Sequence, residues 1–143
     1  MQIGIRFSVA IHIMLCADVF RDDCKITSEF IASSVRTNPV IIRKIAGQLR
    51  DAGLIEITPG AGGLHLTRKP AKISLKDIFL AVEPVKDGKL FKIHDGTEPK
   101  CRVGAYVPTL LGPYFAGAQK VMEQYLSKST LQNLLDDLKM LWP

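Results

Sequence analysis

Apolar residues Ile5, Val9, Ile13 and Ala17 recur every four positions, with Phe20 three further on, a spacing that predicts a core-facing helix from about residue 5 to 20. Residues 7–17 are uncharged and mostly apolar behind Arg6, the outline of a short signal peptide, but His12 interrupts the run and Asp18 follows it at once, so a core helix explains the pattern better. A polar break at 21–25 leads to Thr27-Ser28-Glu29, where either hydroxyl can cap a short helix carrying Phe30, Ile31 and Ala32 and ending around 33–35. Thr37-Asn38-Pro39 is a stronger start, a capping side chain followed by proline at the first helical position. From there Ile42, Ile45, Leu49 and Ala52 fall on one face, and Gly53 ends the helix.

The period then changes. Residues 54–57 are short and β-branched, and the glycine-rich stretch 58–63 can only be a turn. Leu64, Leu66 and Arg68 alternate with His65 and Thr67 as a returning strand. Ser74 opens a further helix to about Val82, stopped before Pro84. Residues 84–107 keep no period and read as a long loop. From Pro108 the chain is helical again, with Phe115, Ala118, Met122 and Tyr125 as an apolar stripe, and a last amphipathic helix runs from 129 or 130 to Trp142.

With 143 residues, 47% hydrophobic and 23% charged, the chain is of one-domain size and can bury a core. No apolar run approaches the roughly 18 residues that cross a bilayer, so no membrane partner is expected. Three dispersed cysteines make no disulfide framework and point to a reducing, cytoplasmic setting. The net charge of +5 is unevenly spread. Residues 36–72 hold seven cations (Arg36, Arg43, Lys44, Arg50, Arg68, Lys69, Lys72) against Asp51 and Glu56, and so carry all of it. Such a segment is the footprint of a polyanion-binding face.

A short helix, a turn, a helix with a basic outer face and a hairpin with a glycine-rich tip follow the order of a winged helix-turn-helix. With the apolar face inward, Val40, Arg43, Lys44, Gly47 and Arg50 face out, and Arg43, Gly47 and Arg50 form one stripe. Gly47 lets the helix approach a groove closely. The first turn of such a helix reads base edges, while its free N–H groups favour phosphate. Wing glycines 60, 62 and 63 bring backbone amides to phosphate or the minor groove, supported by Arg68 and Lys69. The apolar stripe at 115–125 is too extensive for one exposed face and predicts a two-fold dimer.

Three segments, Thr37-Asn-Pro-Val-Ile-Ile-Arg-Lys-Ile, Leu49-Arg-Asp-Ala-Gly-Leu-Ile and Gly60-Ala-Gly-Gly-Leu-His-Leu, resemble the Rrf2 family of bacterial transcription regulators, as does the ending Ser127-Lys-Ser-Thr-Leu-Gln-Asn-Leu-Leu. The resemblance covers nearly the whole chain. It implies a mainly helical fold with a β-hairpin wing, dimeric through a long crossing helix after Pro108. Matching positions are Thr27 and Ser28, then Asn38, Pro39, Val40, Ile41 and Arg43, then Gly60, Gly62 and Gly63. Some members place an arginine before the wing glycines; here that residue is Pro59. Iron–sulfur members carry three clustered cysteines before the long helix. This loop has only Cys101, with His94 seven residues earlier, so no cofactor and no metal is expected.

The cysteines and histidines divide further. Cys16 reads as a packing residue and Cys24 as an exposed loop residue; His12 reads as a core residue and His65 as a strand-surface one. Cys101 lies between Lys100 and Arg102, cations that favour a thiolate, which makes it the candidate redox switch beside a plain loop cysteine. The division expected is residues 1–72 for DNA binding, 73–107 as linking helix and effector loop, and 108–143 for dimerisation. The expected protein is a non-enzymatic homodimeric regulator, a repressor, with double-stranded DNA and an unidentified small-molecule or redox effector as partners. The competing readings are a thiol redox sensor or interaction module on the same fold, and a small Cys/His enzyme. The last lacks a third orienting group, and no phosphate loop, zinc motif or nucleophile elbow is present.

Overall fold

A computed structural model describes residues 4–60, 62–83 and 88–142. It contains α1 (Arg6–Val19), α2 (Ser28–Val35), α3 (Pro39–Asp51), β1 (Ile55–Thr58), β2 (Gly63–Leu66), a 3-10 turn at Pro70–Lys72, α4 (Leu75–Val82), α5 (Val107–Lys128) and α6 (Leu131–Leu141). The chain forms two compact units, one of residues 1–83 with 126–143 and the other of residues 84–125. The fold is mainly helical with an antiparallel hairpin, the winged-helix class expected from the sequence.

In the first unit the apolar faces of α1, α2, α3, α4 and α6 share one core. Ile13, Ile31, Ile42, Leu49, Ile78, Phe79 and Leu131 are fully buried, and Phe7 meets Phe79 edge to face at 5.3 Å. Burying side chains of this size contributes about 1.5–3 kcal/mol each. Thr27 caps α2 by accepting the Phe30 N–H at 3.0 Å. Arg36 closes that helix in a left-handed conformation (φ 63°), where its own N–H and that of Thr37 both donate to the Ala32 carbonyl. This turn redirects the chain into α3, whose cap Asn38 accepts the Val40 N–H at 2.9 Å.

The hairpin pairs Ile55 with Leu66 and Thr58 with Gly63; its first strand lies one residue later than the predicted 54–57, and its second starts one residue earlier and ends two residues earlier than the predicted 64–68. Ala61 of the expected wing lies outside the described residues. Leu64 N–H donates to the Ile26 carbonyl at 3.0 Å, so β2 seats on the segment leading into α2. Gly63 makes this seat possible: its φ is +73°, and a Cβ there would lie 2.8 Å from the Ile26 oxygen.

The C-terminal helix belongs to the first unit. Ser74 and Thr130 each cap a helix through a reciprocal box, with Asp77 and Asn133, and the two caps pair as an antiparallel bridge. Leu75 N–H donates to Ser129 O at 2.8 Å, and Leu131 N–H to Ile73 O at 2.9 Å. One reading is corrected here. His12 is not a core residue but half-buried, its Nε2 2.7 Å from Ser34 Oγ, because α1 and α6 leave an apolar groove of about 790 Å³ along this face.

In the second unit α5 begins at Val107, one residue before Pro108, and carries Pro113 within it. Residues 84–87 of the expected loop lie outside the described ones. The part described is held by specific bonds. Leu90 N–H donates to Gln119 Oε1 at 2.9 Å, Gln119 Nε2 donates to Gly88 O at 2.7 Å, and Phe91 packs on Phe115 at 5.4 Å. Thr97 Oγ1 donates to Gly104 O at 2.6 Å, closing a tight turn around Cys101.

The wing seat yields a test. Gly63→Ala forces an alanine into a left-handed backbone against the Ile26 carbonyl, and urea unfolding should show a loss of about 2 kcal/mol or more.

Candidate nucleic-acid interface

Helix α3 buries Ile42, Ile45, Ala46 and Leu49, which turns the residues between them outward. Val40 and Ile41 in its first turn are exposed, at 62% and 47%, as are Arg43, Lys44 and Arg50. Large apolar side chains on the surface at a helix N-terminus suit contact with base methyl groups. Gly47 leaves the middle of the stripe low, its missing Cβ position meeting only the Arg50 guanidinium at 3.8 Å.

Three elements converge on one concavity of about 380 Å³. The segment into α2 contributes Lys25, Thr27 and Ser28; α3 contributes Arg43 and Arg50; the wing contributes Ile57, Thr58, Gly60 and Gly63. Among the described residues its lining holds three cations and no acid. Of the residues expected from sequence, Thr27, Ser28, Arg43, Arg50, Gly60 and Gly63 therefore share this surface. Asn38, Pro39, Val40, Ile41, Lys44 and Gly47 lie on α3 or its cap, outside the lining. Gly62 sits in the wing turn, where a Cβ would collide with the Thr58 side chain. Arg68 is directed elsewhere: it donates to Lys72 O at 3.2 Å and lies 3.8 Å from Asp77.

Lys25 was not legible from the sequence. Its Nζ donates to the Gly60 carbonyl, tying the α1–α2 loop to the wing tip across 35 positions, a contact no local pattern signals. Glu29 was also missed. Its Oε1 accepts from Arg43 Nη2 at 2.6 Å, while Arg50 Nη2 reaches Asp51 at 3.3 Å. The Glu29 carboxyl is held below its usual range, first by its own backbone N–H and then by Arg43.

Cys16 is buried and its thiol pushed up by that burial, whereas Cys24 and Cys101 are exposed. The Cys101 thiol is pushed down, with a different cause from the flanking cations: the backbone N–H groups of Gly104 and Val103 in the turn stabilise its thiolate. His94 and His65 are exposed. Among the described residues, no three His, Cys, Asp or Glu side chains come together around a metal position. No described helix is long and apolar enough to cross a membrane.

A capped helix with a basic outer face, backed by a second helix and flanked by a hairpin wing, defines a winged helix-turn-helix protein of the DNA-binding type. Residues 3–137 match the profile of the Rrf2 family, described as iron-dependent transcriptional regulators. YwnA of Bacillus subtilis, named as an HTH-type transcriptional regulator, is 36% identical over 137 residues, 96% of this chain and 99% of YwnA. A solved structure described as a transcriptional regulator from Lactobacillus plantarum is 28% identical with a TM-score of 0.75, over 94% of this chain and 90% of that one. T. potens IscR shares the fold at 19% identity, with a TM-score of 0.73 over 100% of this chain and 92% of that one. The chain belongs to the Rrf2 family of transcriptional regulators.

The donors in the loop before α5 do not fit an iron–sulfur cluster held by thiolates. An iron–sulfur cluster held by thiolates takes about four ligands, and the loop before α5 offers the single thiol of Cys101.

The thiols give a direct measurement. At neutral pH Cys101, with its thiolate favoured and exposed, should react with iodoacetamide well before Cys16, which should stay protected until denaturant opens the core. Peptide mapping over a time course checks the order.

Proposed function

We propose that this chain acts in the cytoplasm as a homodimeric repressor that binds a palindromic operator. The observation that carries the DNA reading is the cationic concavity between α2, α3 and the wing, lined by Lys25, Arg43 and Arg50 and, among the described residues, by no acid. In this reading residues 1–72 bind DNA, residues 73–107 link and receive the effector, and residues 108–143 dimerise. Arg43, in the second turn of α3, reads a guanine edge, with Val40 and Ile41 against neighbouring bases. Arg50, nearly two turns deeper, contacts phosphate, and so do the wing amides at Gly60, Gly62 and Gly63. Thr27, Ser28 and Lys44 add backbone contacts, and Arg68 supports the wing's base rather than touching DNA.

Support for the dimer comes from α5, which has no buried residue in the single chain. Leu110, Tyr114 and Val121 are exposed at 60%, 78% and 66%. With Gly117, Ala118 and Tyr125 they fall within one narrow stripe of the helix, small residues at its centre allowing a close crossing. Relative to the expected stripe, Ala118 and Tyr125 stay in it, while half-buried Met122 and Phe115, which packs on Phe91, lie at its edge. A second reading, a thiol-based sensor on the same fold, is favoured by the lowered thiol of Cys101. The two combine if modification of Cys101 prefers one dimer geometry, since equal affinity shifts nothing.

Selection of bound duplexes from a random pool should return an inverted repeat with half-sites about one DNA turn apart. Arg43→Ala should cost about 1–3 kcal/mol on that site and relax preference at one position. Arg50→Ala should weaken all sequences alike and lower the salt slope by about one. Equal losses on selected and random DNA for both variants would show this division of roles to be wrong. Val121→Lys should shift the protein toward monomer in sedimentation at micromolar concentration; an unchanged dimer, or a wild-type monomer, counts against α5 as the interface.

A further inference from the structure

The cation best placed to read DNA is already engaged in the free protein. Arg43 Nη2 donates to Glu29 Oε1 at 2.6 Å, a charge-assisted bond joining the first turn of α2 to the second turn of α3 across 14 positions. Glu29 is itself anchored. It sits one residue past the start of α2, where the Thr27 cap orders the helix end and the exposed N–H groups favour an anion. The backbone N–H at this helix end and Arg43 both favour its charged form, and the carboxylate in turn pairs with the arginine. Arg50 differs: its carboxylate partner is Asp51, the next residue on the same helix, at 3.3 Å, which restrains nothing across elements.

We infer that Glu29 is a specificity-determining positioning residue, which holds the Arg43 guanidinium in the orientation that reads a base and withholds its charge from phosphates at random sequences. The inference rests on Arg43 being a base-reading residue. A guanidinium has five N–H donors, and one amino group given to Glu29 leaves the others for a nucleobase edge. Held this way, Arg43 enters the groove with part of its rotamer freedom already lost, which favours the one site whose acceptors match. On random DNA the same carboxylate acts against binding. It neutralises a cation that would otherwise release a counterion, and it places an anion near the phosphates. Both effects widen the gap between selected and random sequences while lowering the overall non-specific affinity.

The test measures binding of the full-length protein to two duplexes of equal length, the site selected from the random pool and a scrambled sequence, each over a salt series. Glu29→Ala should tighten binding to the scrambled duplex several-fold and raise its salt slope by about one. It should also reduce the preference for the selected site by about fivefold or more. Glu29→Gln keeps an acceptor for Arg43 without the charge. It should recover part of the preference while the scrambled duplex remains tightly bound, a rescue that a merely structural role would not produce. In an Arg43→Ala background, removing Glu29 should no longer change the preference. If Arg43→Ala relaxes the preference but Glu29→Ala leaves it intact, or lowers it equally without Arg43, the positioning role is wrong and the base-reading role of Arg43 stands. If Arg43→Ala itself leaves the preference unchanged, the reading of Arg43 fails and this inference falls with it.

Discussion

The rotation of α3 about its own axis is held by Ile42, Ile45, Ala46 and Leu49, buried against α1, α2, α4 and the first strand. Turning the helix by one residue's worth of angle would drive Arg43 or Arg50 into the core, at the cost of an unpaired buried charge. The outward direction of Arg43, Lys44, Gly47 and Arg50 is therefore a consequence of apolar burial on the opposite face. Other features refine this placement. Arg36 takes a left-handed turn so that α2 can back α3, Asn38 sets where the helix begins, and Gly63 allows the wing to seat on the Ile26 carbonyl.

The electrostatics of this surface combine a fixed excess of cations with weak local pairing. Exposed ion pairs such as Arg43 with Glu29 and Arg50 with Asp51 contribute little to stability, because water screens them and ordered side chains lose entropy. Their interest is in recognition. A pair that is nearly neutral for folding can still act here, because the carboxylate competes with phosphate for the cation, and the positions of the acids decide which cations are available to any sequence and which only to a matching one.

The second unit has a different logic. Its helix α5 shows large apolar side chains to solvent and has no core of its own in a single chain. Soluble proteins rarely leave such a stripe uncovered. The loop before the helix is held by side-chain to backbone bonds, with Gln119 bridging Gly88 and Leu90, and Thr97 closing the turn that carries Cys101. That turn aims backbone N–H groups at the sulfur, so its acidity comes from backbone geometry more than from the lysine and arginine beside it in sequence.

Local chemistry was legible from the residues alone. Thr27, Asn38, Ser74 and Thr130 announce their helices because a capping side chain bonds an N–H only two or three positions away. The apolar period of α3 announced Ile42, Ile45 and Leu49 as its buried face, and hence the outward Arg43, Gly47 and Arg50, since a helix repeats on a fixed angle, whereas Ala52, expected on that face, is exposed just past the helix end. The glycines at 60, 62 and 63 marked the wing. What remained hidden depends on partners far apart in the chain. Lys25 meets the wing tip, Glu29 grips Arg43, His12 meets Ser34, and α6 returns to bridge Ser74. Each of these contacts joins residues 14 or more positions apart, and a periodic pattern records which face of an element is apolar, not which other element will cover it. Sequence by itself determined the elements, their caps and the charge that one face would carry; tertiary packing alone decided which acid meets which base, because that requires side-chain atoms on two different elements to be brought within about 3 Å of each other.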